Sequence, residues 1–197
     1  MMRRETYATT GPRMVVRFFA SWDFAPDDID QPNFVAHAYD KGVPMGGELS
    51  HAPSGKPIGF LVTAQKDPEG ANLDRVQIVK GWIDASGKTH EKVYDVVWSG
   101  QRSPNENGKL PPVGNTVDIE NATWRNSIGA TQLSTVWYDP DFDPREDAFY
   151  YTRVIEIPTP RWTAYDEKYF NYKLDRLMPA TVQERAYTSP IWYSAKP

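Results

Sequence analysis

The groups able to do chemistry in this sequence are 26 carboxylates, three histidines and the hydroxyls; there is no cysteine. That excludes a disulfide framework and thiolate catalysis, and leaves His and carboxylate as the material for any metal site. His37, His51 and His90 are scattered, with no His-x-His and no His-Glu-x-x-His. No metal ligand or catalytic residue is therefore assigned. No Gly-x-Ser-x-Gly offers a nucleophile elbow. Carboxylates are plentiful, so a stand-alone hydrolase with a carboxylate/His site stays open; it requires two of the histidines to meet acids in one pocket.

Two short motifs invite chemistry and fail on spacing. Ser86-Gly87-Lys88-Thr89 contains the Gly-Lys-Thr of a phosphate loop, but the motif's first glycine falls on Trp82 and Gly81 is one residue off. A hairpin turn is the better reading. Asp139-Pro140-Asp141-Phe142-Asp143 opens like a calcium loop, yet its sixth position is Pro144 and its twelfth is Tyr150, where Gly and Glu are needed. The favoured reading there is Asp143 capping a helical turn, with Pro144 first inside it and Glu146 completing a capping box. Asp27, Asp28 and Asp30 read as a solvated loop. Asn121-Ala122-Thr123 is a formal glycosylation sequon only.

Aromatics carry the sharper possibility. Trp82, Trp98, Trp124, Trp137 and Trp162 either form a stacking platform for sugars or other flat ligands, or fill the core and anchor loops. The second reading is favoured because large aromatics dominate cores. Trp82, Trp124 and Trp162 are the ligand-binding candidates under the first.

The elements that would position these residues are mostly strands. Seventeen prolines argue against long helices. Residues 14–24 alternate, with Met14, Val16, Phe18, Ala20, Trp22 and Phe24 on one face. Residues 34–39 read as a short strand and 58–65 as another. Residues 75–83 and 91–98 form a hairpin about Asp84-Ala85-Ser86-Gly87-Lys88, with Gly87 left-handed and Gly81 marking a bulge. A long loop covers 99–114, and 117–124 reads as a strand. Residues 128–138 are ambiguous, and 149–157 are apolar on both faces, as in a central strand. Thr163 with Asp166 starts a short helix bearing Tyr165, Tyr169 and Tyr172. Residues 185–194 form a closing strand. The fold class expected is mainly β: an antiparallel β-sandwich, immunoglobulin-like or jelly-roll-like, with short helical insertions.

Composition limits the partners. A net charge of −4 gives no electrostatic reason to bind nucleic acid or an anionic membrane. No apolar run approaches the ~20 residues of a membrane span, and no signal peptide is read before Thr6, so the compartment, cytoplasmic or periplasmic, stays open.

Four blocks in order resemble one family: residues 7–14 (YATTGPRM), 74–81 (DRVQIVKG), 149–154 (FYYTRV) and 186–192 (AYTSPIW). Together they look like the C-terminal region of the bacterial family catalogued as domain of unknown function 3604, itself similar to PHP-type (polymerase and histidinol phosphatase) metal-dependent hydrolases. The resemblance implies a metal-binding barrel upstream and a β-rich domain after it, of which this chain would be the second part, a fragment. Residues 1–13 would be a remnant and lead-in, with 1–5 ending a helix of the missing part, and 14–197 one β-sandwich domain. It implies a non-catalytic accessory role, a divalent metal in the upstream part and no cofactor here, and as partner either the barrel or a second copy. An apolar patch left by the barrel would then be exposed. Thr9, Thr10, Gly11 and Arg13, at the junction, are the residues placed near a full-length active site; a plain strand start is the favoured alternative.

Overall fold

The computed structural model describes residues 2–174 and 177–195. In chain order the strands are β1 (Tyr7–Thr9), β2 (Val15–Ser21), β3 (Val43–Pro44), β4 (Glu48–Ser50), β5 (Gly59–Gln65), β6 (Leu73–Ile83), β7 (Thr89–Trp98), β8 (Gln132–Tyr138), β9 (Ala148–Glu156), β10 (Thr159–Pro160), β11 (Thr181–Val182), β12 (Arg185–Thr188) and β13 (Ile191–Ser194). Helix α1 (Phe34–Lys41) precedes β3, and α2 (Trp162–Phe170) joins β10 to β11.

Two sheets face each other. One runs β3-β2-β5-β8, antiparallel throughout. The other is centred on β9. Along one edge β9 pairs with β6, which pairs with β7; along the other it pairs with β12 and β13 laid end to end. β1 flanks β12, and β4 flanks β13 in the one parallel pairing of this sheet. The closing strand is thus one line broken at Ser189-Pro190. Between the pairs Tyr187↔Arg153 and Ile191↔Tyr150 it has one residue more than β9, the signature of a bulge. Pro190 sits where no ladder donor is required.

Alternation explains the core. Val16 and Phe18 of β2 with Phe60 and Val62 of β5 meet Val76 and Ile78 of β6 and Tyr150 and Val154 of β9, all buried. Phe60 spans the gap: its ring centroid lies 4.6 Å from that of Tyr150 and 5.4 Å from that of Phe18. Each such side chain contributes about 1.5–3 kcal/mol on burial. The sandwich with short helical insertions is the fold expected from the strand pattern.

Several local expectations are corrected. Residues 34–39 are helical, not extended, because Phe34 and Ala38, one turn apart, pack with Phe19, Phe24 and Leu61 on the outer face of the smaller sheet. Asp28 is no solvated loop residue: it is buried and accepts from Lys41 (2.8 Å), His37 (2.9 Å) and the Ala25 amide (2.8 Å). Residues 117–124 form a turn with a single bridge, Asp118↔Thr123, because the Asp118 carboxylate takes the Asn121 amide and Ala122 adopts φ 49°. Asp143 holds a turn and not a helix. Met2 and Arg3 lie in a turn and Arg4 has φ 57°, so no helix ends there among the described residues. The irregularities of β6 fall at 73/75 and 76/77, not at Gly81.

Candidate functional site

The lead-in is strapped to the larger sheet. β1 pairs with β12, and the Thr10 amide continues the ladder to Arg185 O at 2.9 Å. The Thr10 hydroxyl donates to the Glu184 carboxylate and accepts from the Arg185 amide at 2.9 Å. Gly11 and Pro12 then bend away, and the Arg13 amide donates to Asp67 Oδ2 at 2.7 Å. The 66–70 turn that receives it is stiffened by Lys66, whose Nζ donates to the carbonyls of Asp67, Pro68 and Gly70 at 2.6, 3.0 and 2.9 Å.

Between this strap and α2 lies a pocket of about 280 Å³, walled by Gly11, Pro12, Trp124, Trp162, Tyr165 and Glu184, with Gly70 and Glu156 also lining it. Each wall has a local cause. Trp162 opens α2, which Arg161 starts in extended geometry with its amide bonded to Ala180 O at 2.8 Å. Trp124 leaves the 118–123 turn, clamped by the Thr116 hydroxyl on Arg125 O at 2.7 Å. Lys168 of α2 donates to Asn121 O at 2.7 Å and so holds the two tryptophan-bearing segments together. Glu184 follows Gln183, which is pinned by donating to Glu156 O (2.8 Å) and the buried Asp74 carboxylate (3.2 Å).

Glu156 is the unusual member. It ends β9 with its side chain turned inward, like Tyr150 and Val154, and it is 1% exposed. Its Oε1 has no hydrogen-bond partner among the described residues. Burial, then the neighbouring carboxylates of Glu184 and Asp67, push its carboxyl up to about 8, against the pull of Lys66. A carboxyl so placed is a strong acceptor once ionised and a donor while protonated. Aromatic rings lining a pocket beside acids suit an electron-poor guest.

A second concavity, about 620 Å³, lies at the far end of the larger sheet, lined among others by Gly81, Trp82, His90, Phe149 and Trp192. Here Gly81 is explained. A Cβ on it would stand 2.4 Å from Phe149 Cζ, so the missing side chain lets the Phe149 ring lie across the strand. Phe149 meets Trp192 at 5.4 Å between centroids. Trp82 stacks on His90 at 5.1 Å, and His90 bonds to Asp84 at 2.7 Å.

The structure thus splits the sequence-derived candidates. Trp124, Trp162 and Gly11 share the pocket; Thr10 and Arg13 brace its rim; Thr9 is an ordinary ladder residue opposite Ala186. Trp82 belongs to the other concavity and, with Trp137, packs on the core, while Trp98 anchors the following loop through Arg102 O at 2.7 Å. The histidines are not brought together: His37 bonds Asp28, His51 bonds Ser50 and His90 bonds Asp84. Asp139, Asp141 and Asp143 turn to Lys80, Lys92 and Arg145 respectively. Among the described residues no group of three or more His or acidic side chains is arranged to hold a metal. Glu156 and Glu184 escaped notice. The available signal was an acid in a strand read as apolar on both faces, two residues beyond Val154.

A family model described as "Protein of unknown function (DUF3604)" matches residues 1–195. No curated protein and no solved structure matches the chain.

Proposed function

From the premise that this chain belongs to the DUF3604 family, we propose that it is a non-catalytic C-terminal β-sandwich module of a PHP-like metal-dependent hydrolase, acting by binding. The observation that carries this reading is the pocket itself. Its rim is the Thr10–Arg13 strap, the segment that the family resemblance puts at the exit of a barrel, and its walls are mainly aromatic and acidic. A ligand held there would lie beside the junction, where a module can shape access to an upstream site. The divalent metal belongs, on this reading, to that upstream part. The partner, the barrel or a second copy, meets the side of α2 that leaves Trp162, Tyr169, Phe170 and Tyr172 exposed.

The test is turnover. Purified chain assayed on phosphomonoesters and carboxyl esters with Mn²⁺ or Zn²⁺ is expected to show no chelator-sensitive hydrolysis. Clear turnover that a chelator abolishes would overturn the reading and restore the stand-alone hydrolase.

A further inference from the structure

We propose that the pocket between Trp124 and Trp162 binds a small organic cation, an ammonium or alkylated ammonium group, seated against the aromatic faces with Glu184 and Glu156 as its counter-charges. This deepens the binding role above and rests on it only in treating the pocket as a site that binds and does not react.

Three observations point to a cation. Trp124, Trp162 and Tyr165 line the pocket, and aromatic rings attract cations to their faces through the negative quadrupole. Two carboxyl groups line the same space, and one of them, Glu156, is 1% exposed, with an oxygen buried behind the wall that no described residue satisfies, so that it acts on a guest as a charge rather than by contact. Finally, no basic side chain is among the lining residues. The cations of the adjoining turn and strap are already used: Lys66 by three backbone carbonyls, Arg13 by ion pairs at 3.5 Å to Asp67 and to Glu69.

A neutral sugar would also stack on indole, and the charges decide against it. Glu184 and Asp67 crowd Glu156 with like charge, opposed by Lys66 alone among the groups that act on it. Near neutrality Glu156 avoids that repulsion by holding its proton, so a neutral guest draws nothing from the charges, whereas a cation favours the ionised form of Glu156 and is attracted by Glu184 as well. The cavity of about 280 Å³ lies at the small end of ligand pockets, which suits a headgroup more than an extended chain. Because Glu156 gives up its proton only toward about 8, cation binding should release a proton near neutrality and strengthen as pH rises.

The experiment is a tryptophan-fluorescence titration of the chain with choline chloride and with its neutral isostere 3,3-dimethylbutan-1-ol, at fixed ionic strength. The expected result is saturable choline binding at least about tenfold tighter than the isostere, and weaker by several-fold at about pH 6 than at about pH 9. Trp162→Ala, at an exposed position that leaves the core alone, and Glu184→Gln should each weaken choline by about fivefold or more. Glu156→Gln should remove the pH dependence. Equal affinity for alcohol and choline, no saturable binding of choline, or binding indifferent to both Trp162→Ala and Glu184→Gln would each overturn the proposal. Hydrolysis by the chain bears on the accessory role and not on this test; failure to bind choline sinks the cation site and leaves the hydrolysis result standing.

Discussion

Glu156 and Lys80 are two ionisable groups buried in one sheet, and they are handled in opposite ways. Lys80 is 2% exposed and paired: its Nζ donates to Asp139 Oδ2 and to Asp141 O, both at 2.7 Å, while Tyr150 donates to the same Asp139 oxygen at 2.8 Å. That pairing compensates desolvation with Coulomb attraction and hydrogen bonds. Glu156 has no such set, so it keeps its proton instead. The consequence for stability has a definite sign. The carboxyl titrates at about 8 in the folded chain against an ordinary 4.5. Between these values the folded chain holds a proton that the unfolded chain has lost. The stability this contributes is complete below about 4.5 and disappears as pH rises through about 8. Glu156→Gln, which cannot ionise, should therefore gain stability relative to the parent as pH goes from about 5 to about 9. Urea midpoints of both proteins at the two pH values check this; a parallel pH response would refute it.

Each element has one task, and its sequence shows how far local pattern reaches. β2 and β5 are legible because their apolar residues fall two apart, β9 because it is apolar on both faces, and the hairpin turn because Gly87 is needed at φ 83°. α1 is not, since eight residues containing Phe34, Val35, Ala36 and Ala38 satisfy either period; only contact with Phe19 and Leu61 chooses the helix. Gly81 was legible as a special position but not as to why. Its reason is the Phe149 ring, which lies on the neighbouring strand. Gly81→Ala should thus cost about 1–3 kcal/mol through overpacking. Paired with Phe149→Leu it should cost less than the sum of the two single changes. Denaturant unfolding of the four proteins measures the coupling; strict additivity would show that Gly81 does not serve that ring.

For the molecule as a whole, the exposed aromatics are unevenly shared. Trp162, Tyr169 and Phe170 of α2, with Tyr172, Leu177 and Met178 after it, are 60–95% exposed. Exposed apolar residues gathered in one stretch of chain suit the partner-facing role proposed above. The chain alone should self-associate through it with rising concentration, and Tyr169→Ser with Phe170→Ser should shift it toward monomer. Sedimentation across a hundredfold dilution, about micromolar to about 100 micromolar, reads the change. A parent monomeric over that range would remove α2 as an assembly face.

The sequence by itself determined the long strands, the sandwich class and the turn at Gly87, because alternation and turn chemistry act between residues a few positions apart, but not residues 34–39 or 117–124, which it reads as strands. It also singled out Gly11, Trp124 and Trp162, but as separate hopes. Only the tertiary structure brought them to one pocket with Glu156 and Glu184, and sent Trp82 and the three histidines elsewhere. The reason is physical. The pocket is closed by contacts between segments as distant as Thr10 and Glu184 or Asn121 and Lys168, and such closure leaves no trace in local periodicity. Whether an acid is solvated or held protonated depends on which neighbours arrive around it, and for Glu156 those neighbours come from two separate segments of the chain, the 66–70 turn and Glu184.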